Sequence, residues 1–238
     1  MIRKMIARLI ESSGWLLFVL FSLVFWIFGF AKDEFLTTNQ LFDEYIEAQR
    51  QEKYESDYND LASEFEDDIE DYDEKGEDYY WSDLLFDLGI NLIYHVLLFT
   101  IISACIYVGL SSVPDLEGIL YKPIFKVVVI AEFVFFIPML IKFIWFSAID
   151  LDYDYLTVRN YYPLSLLSLF DVNNVSDWLI YPLRKLNIFE IIYGYILVIG
   201  IGTSLKISLE KVAKPVVLSY SILALLFITI RVYLSTVF

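Results

Sequence analysis

Apolar residues in this chain fall into five long blocks, 14–31, 88–110, 127–149, 188–205 and 215–237. The blocks are 18 to 23 residues long. A helix rises about 1.5 Å per residue, so each block is about the length needed to cross a hydrocarbon core. None alternates strictly between apolar and polar positions, as a half-buried strand would. The pattern predicts an all-α fold, an integral membrane bundle of five transmembrane helices.

The polar stretches between the blocks carry their own periodicity. In residues 1–13, Ile2, Met5, Ile6, Leu9 and Ile10 share one helical face and the cations lie opposite. This predicts an interfacial helix leading into the first span. Gly29-Phe30-Ala31 resembles a small-x-small cleavage site, but the apolar run before it exceeds a signal h-region, and an uncleaved anchor is the better reading. Residues 32–87 form an insert in which Tyr54, Tyr58, Leu61, Phe65, Ile69 and Tyr72 recur at spacings of three and four. That spacing predicts a long amphipathic helix with a largely aromatic stripe. Thr37-x-x-Gln40 suits its start and Gly76 its end. Tyr79, Tyr80 and Trp81 read as an aromatic belt before the second span. In the 150–187 loop, Tyr162–Phe170 and Asp177–Pro182 are apolar but too short to span, and read as interfacial or re-entrant helices.

Composition sharpens this reading. The chain has 238 residues, 58% hydrophobic and 18% aromatic, above the apolar share of an ordinary soluble domain. Its net charge is −15, but residues 33–87 hold 21 acidic and 3 basic side chains, so the rest of the chain is slightly basic. An acidic insert does not neutralise phosphates, and nucleic acid is excluded as a partner of that segment. Arg3, Lys4, Arg8, Lys122, Lys126, Lys206, Lys211 and Lys214 fall on one side of the membrane if the loops alternate. The positive-inside rule makes that side cytoplasmic, with the N-terminus, and the insert extracytoplasmic; Arg159, Arg184 and Lys185 oppose it. A bacterial inner membrane is the expected location. Cys105 is the single cysteine, so no internal disulfide forms.

Ionisable groups inside spans are costly and mark candidate sites. They are His95 in the second span, Glu132 and Lys142 in the third, Glu190 in the fourth and Arg231 in the fifth. By position, His95, Lys142, Glu190 and Arg231 share the outer half, where Glu190 is the one carboxylate. The expectation is that Glu190 pairs with Lys142 or Arg231 and locks three spans together. Glu132 has no evident partner at its depth. The plainer alternative is that Lys142 and Arg231 snorkel to the interface. Pro138 breaks a backbone hydrogen bond in the third span and predicts a kink. Asp71–Lys75 and Asp150-x-Asp152-x-Asp154 begin like calcium loops, but neither has the glutamate required at its twelfth position, and no metal or other cofactor is expected.

The stretch LNIFEIIYGYILVIGIGTSLKIS, residues 186–208, opens on Asn-x-x-Glu and closes on Gly-x-Gly and a lysine. It lacks the Gly-Lys-Ser/Thr of a phosphate loop and the strand and third glycine of a dinucleotide fold. As a membrane helix it presents Gly200, Ser204 and Ser208 four residues apart, a face for close helix packing. With its neighbours, RKLNIFEIIYGYILVIGIGTSLKISLEKVAKPVVLSY resembles the C-terminal half of bacterial Yip1-like membrane proteins, through Leu186, Asn187, Phe189, Gly200 and Lys206. The resemblance covers the last third of the chain. It implies five spans, a cytoplasmic N-terminus and no known catalytic residues; eukaryotic members are linked to vesicle traffic and small GTPases. The acidic insert is not part of that pattern.

No nucleophile sits beside a base, and the one histidine lies in a span, so the chain is not read as an enzyme. The first functional reading is a membrane scaffold in a lipid bilayer whose insert docks a protein partner through Tyr54, Tyr58, Leu61, Phe65 and Tyr72. The second is a permease or transporter subunit using the polar groups of the spans. Homo-oligomerisation stays open.

Overall fold

The computed structural model describes residues 14–36, 41, 44–48, 50, 77–114, 116 and 118–237. The predicted interfacial helix in 1–13 and the stripe Tyr54, Tyr58, Leu61, Phe65 and Tyr72 lie outside these residues. Eight α-helices organise the described chain: α1 (Gly14–Phe35), α2 (Glu77–Ser111), α3 (Tyr121–Glu132), α4 (Phe136–Ala148), α5 (Tyr155–Asn160), α6 (Asp177–Lys185), α7 (Ile188–Leu205) and α8 (Leu209–Val237). Residues 44–48 are also helical. Among the described residues no strand forms, only one isolated bridge between Ser165 and Asn187.

Among the described residues, four helical stretches are long and apolar enough to cross a membrane: Leu85–Ser111, Tyr121–Ala148, Ile188–Leu205 and Leu209–Val237. They match the last four apolar blocks. The first block holds a shorter apolar stretch, Leu16–Gly29, within α1. Leu85, Ile93, Val108, Ile144, Ile191 and Leu225 all stand exposed on the outside. Such a surface is a liability in water and fits the hydrocarbon of a bilayer.

The third span runs 28 residues, from Tyr121 to Ala148, and contains a short 3-10 turn at Phe133–Phe135. Pro138 follows one turn later. Its missing N–H and its ring both disturb the carbonyl four residues earlier, that of Val134 in the middle of the 3-10 turn. Where the sequence predicts a kink, the helix shows this 3-10 turn. The α3 half is the centre of the bundle: it packs on α1, α2 and α7, and Val127, Val128 and Ala131 are buried. α8 closes the ring by packing on α2, α7 and α6.

Two glycines let these helices approach. A Cβ on Gly200 would lie 2.5 Å from Cγ1 of Val127, so only glycine lets α7 lie this close to α3. A Cβ on Gly109 would meet the side chain of Ser219, drawing α2 and α8 together in the same way. Gly200 thus occupies the packing position expected of it. Ser204 borders a small cavity beside the 112–120 loop, and Ser208 lies exposed beyond the helix, which ends at Leu205. The small-residue face therefore stops one turn short of its predicted length. The cause is Lys206, which adopts a left-handed backbone (φ 57°) and turns the chain into α8.

The bundle has two unlike ends. The short connections 112–120 and 206–208 meet at one, hereafter the turn end. The 149–187 segment covers the other, the loop end. There Leu36, Phe146 and Val158 form a second apolar cluster with Tyr153 and Tyr161, tying the end of α1 to α4 and α5. Asp154 caps α5 by accepting a hydrogen bond from the Thr157 N–H at 2.7 Å.

Candidate functional site

At the loop end one segment turns inward. Leu166 N–H donates to the Leu186 carbonyl (2.8 Å) and Ile188 N–H to the Leu164 carbonyl (3.2 Å), clamping the 3-10 turn Leu166–Leu169 to the start of α7. Asn187, buried at this junction, serves two helices at once. Its Oδ1 accepts from the Glu190 N–H at 3.0 Å and so caps α7. Its Nδ2 donates to the carbonyls of Arg184 (3.0 Å) and Lys185 (3.1 Å), the last residues of α6. The double cap ties the end of α6 to the start of α7 and sets Lys185 beside Glu190, while α6 itself packs on α8.

Lys185 and Glu190 form an ion pair, with side chains 33% and 14% exposed. Glu190 also accepts a hydrogen bond from the Tyr220 hydroxyl of α8. It lies in the first turn of α7, where the helix dipole favours a negative charge. The Lys185 ammonium stands 5.3 Å from the ring centre of Phe135 in the 3-10 turn of the third span. Burial pulls the Lys185 ammonium down, Glu190 pulls it up, and the net shift is upward. One lysine and one carboxylate therefore connect α6, α7, α8 and the third span.

This connection differs from the expected one. Depth alone matches Glu190 to Lys142 or Arg231; the structure sets Lys185 and Tyr220 against it. Lys185 reads in sequence as a loop cation on the unfavoured side of the membrane, because nothing local reveals that Asn187 folds α6 inward.

Beneath α6 lies a cavity of about 580 Å³, within the range of small-molecule sites. Its polar wall includes Glu132, Lys142, Arg184, Lys185, Tyr193 and Tyr220. Its other wall is apolar, with Leu97, Leu98 and Ile101 of α2 and Leu223 and Phe227 of α8. Glu132 points here with Oε2 enclosed and unpaired among the described residues, close to the buried Tyr193 hydroxyl, which also lacks a well-formed hydrogen bond. A third span starting at 127 would place Glu132 near one membrane surface, with no neighbours at its depth. The helix starts at Tyr121, which places Glu132 about 16 Å along it, level with the cavity.

The five polar span residues are not one cluster. Glu132 and Lys142 line the cavity, and Glu190 reaches it through Lys185 and Tyr220. His95 is buried elsewhere, its ring 5.3 Å from Phe21, 6.0 Å from Phe25 and 5.5 Å from Phe99. Arg231 stands exposed outside the cavity lining.

Arg159 of α5 and Arg184 of α6 complete the cavity near the loop end. Burial lowers the Arg184 guanidinium; the Tyr181 phenol opposes that shift, while Arg159 and Arg231 add to it. Among the described residues no carboxylate pairs with Arg159, Arg184 or Arg231. Burial and the Glu190 carboxylate hold the Tyr162 phenol well above its usual value. Among the described residues no three metal-ligating side chains converge.

In sequence Arg184 and Lys185 stand out only as cations opposing the expected orientation, and Tyr193 and Tyr220 not at all. One signal was available for the tyrosines. Tyrosine belongs at the membrane interface, and Tyr193 and Tyr220 lie well inside their helices, where a hydroxyl needs a polar neighbour. Compared with protein-family models, curated proteins and solved structures, the chain matches none of them.

Proposed function

We propose that this chain is a five-span integral membrane protein that binds a small solute in the loop-end cavity, as a permease or transporter subunit without catalytic chemistry. The cavity itself carries this reading. Placing ionisable groups inside a span costs at least about 2.5 kcal/mol each on insertion scales, and a bundle that served only as an anchor would fill that volume with apolar side chains. Here Glu132 and Lys142 line an open space instead. In this reading α1 is the fifth span. Lys122, Lys126, Lys206, Lys211 and Lys214 at the turn end face the cytoplasm of a bacterial inner membrane, and the Yip1-like resemblance supports that topology.

The test is a cavity-filling variant. Ala224 lines the cavity from α8, and Ala224→Trp would occupy it. Wild type and variant are extracted from native membranes in mild detergent, and retained small molecules are identified by mass spectrometry. A molecule present in wild type and lost from a variant with unchanged elution and helicity supports the reading. Identical small-molecule content in both defeats it.

A scaffold role for the acidic insert is the second reading. Tyr45 lies 5.4 Å from the Tyr155 ring, which sets the beginning of the insert against the loop end. Deleting residues 38–75 and comparing co-purified proteins tests it: a partner lost with the segment supports docking, and unchanged partners reject it.

A further inference from the structure

The cavity's two walls differ in chemistry, and the difference specifies a class of ligand. Among the described residues, four cationic side chains line it, Lys142, Arg159, Arg184 and Lys185, against one carboxylate, Glu132. Glu190 lies against Lys185 and offsets its charge. Leaving Lys142 aside, the two arginines without a described carboxylate partner still outnumber Glu132, so the excess among the described residues is positive. Each of these arginines leans on a tyrosine, with guanidinium carbons 5.9 Å from the Tyr155 ring centre and 5.6 Å from that of Tyr181. A ring face steadies a guanidinium without neutralising it, leaving the planar donor edge for an oxyanion. The opposite wall belongs to the bilayer. Leu97 and Ile101 line the cavity and are also 57% and 42% exposed on the outer surface of the bundle. A ligand filling both halves has an anionic head and an apolar chain.

We propose that the cavity takes the anionic headgroup of a membrane amphiphile, held by Arg159 and Arg184, with its chain lying along Leu97 and Ile101 into the bilayer. This rests on the cavity-binding reading above and names its ligand class. A free inorganic anion would satisfy the arginines but leave the apolar wall uncovered. A zwitterionic head would bring a second cation to a site that already has an excess of them.

The experiment uses the full chain in phosphatidylcholine nanodiscs, titrated separately with lysophosphatidylglycerol, lysophosphatidylcholine and inorganic phosphate, with intrinsic tryptophan fluorescence as readout. Lysophosphatidylglycerol is expected to bind at least about tenfold more tightly than lysophosphatidylcholine. Arg159→Gln and Arg184→Gln should each weaken it about tenfold, the loss expected for a charge-assisted contact. Lys206→Gln with Lys214→Gln, at the turn end, should leave it unchanged. Equal affinity for the two lysolipids overturns the proposal; this comparison needs only wild type and holds even if an arginine variant misfolds. Undiminished binding in folded arginine variants overturns it too. Inorganic phosphate binding as tightly as lysophosphatidylglycerol overturns the amphiphile. The broader reading is separable: a neutral or cationic molecule lost on Ala224→Trp keeps the binding cavity and rejects its anionic occupant.

Discussion

Removing Lys185 should harm this protein more than neutralising Glu190, although the two residues form one ion pair. The asymmetry follows from burial. Lys185→Met leaves a carboxylate that is only 14% exposed, facing the Tyr220 hydroxyl and little else. Glu190→Gln leaves an ammonium that is 33% exposed and borders a cavity it can turn into, while the amide oxygen still accepts from Tyr220. Stranding one charge of a fully buried pair costs about 3–5 kcal/mol, and exposed pairs are worth about 0–1 kcal/mol. The pair lies between these limits, so Lys185→Met should cost about 2–3 kcal/mol and Glu190→Gln about 1 kcal/mol. For a chain of this size those losses correspond to thermal midpoints lowered by about 4–12 °C and about 2–4 °C. Lys185→Met with Glu190→Gln removes both charges and should fall short of the sum of the single losses, because the residues are coupled. The sign with pH is also set. The lysine is raised above its ordinary 10.5, so its contribution is present below that value and is lost as pH rises through the higher folded value. The assay is thermal unfolding of the four proteins in one detergent, repeated from neutral to alkaline pH. Glu190→Gln as damaging as Lys185→Met, or a double variant equal to the sum, would refute the reasoning.

Three further expectations concern other parts of the molecule. Gly200→Ala should destabilise the bundle by about 1–3 kcal/mol through overpacking against Val127, while Gly194→Ala, with nothing within 4 Å, should be neutral or slightly stabilising; thermal midpoints of both, and of Gly200→Ala with Val127→Ala as the rescue, check this. Asp154→Ala should remove the cap of α5 at a cost of about 1 kcal/mol, read as faster amide exchange over 155–160. The Asp154 carboxyl is held below its ordinary 3.8 by hydrogen bonds from Thr157, so that cap is present above 3.8 and lost as pH falls below it, and the exchange difference should vanish in acid. His95→Leu should leave both stability and the cavity's ligand almost unchanged, since the ring is buried among phenylalanines away from the cavity; loss of ligand in a folded His95→Leu protein would contradict that placement.

Much of the architecture was legible one residue at a time. The span 188–205 coincides with α7 because both of its limits are local chemistry: Asn187 supplies a capping oxygen, and the chain turns at Lys206. The irregularity near Pro138 was equally local, since a missing N–H disturbs its own helix whatever lies alongside. Transfer of apolar side chains into hydrocarbon is nearly additive along a helix, which is why hydropathy alone located the four long spans.

Hydropathy records depth and says nothing about azimuth. His95 and Glu190 were both assigned to the outer half, yet one faces Phe21 and the other Tyr220. Which way a helix face turns depends on where its neighbours touch it, and here contacts such as Gly200 on Val127 and Gly109 on Ser219 set that rotation. The sequence by itself determined, among the described residues, a helical architecture with four helices able to cross a membrane, one glycine where two helices meet, and a carboxylate in the first turn of α7. Only the tertiary structure decided that Asn187 folds α6 inward, that Lys185 rather than a span cation meets Glu190, and that Glu132 opens into a shared cavity. The first set rests on free energies that each segment carries alone; the second exists only once several helices lie side by side.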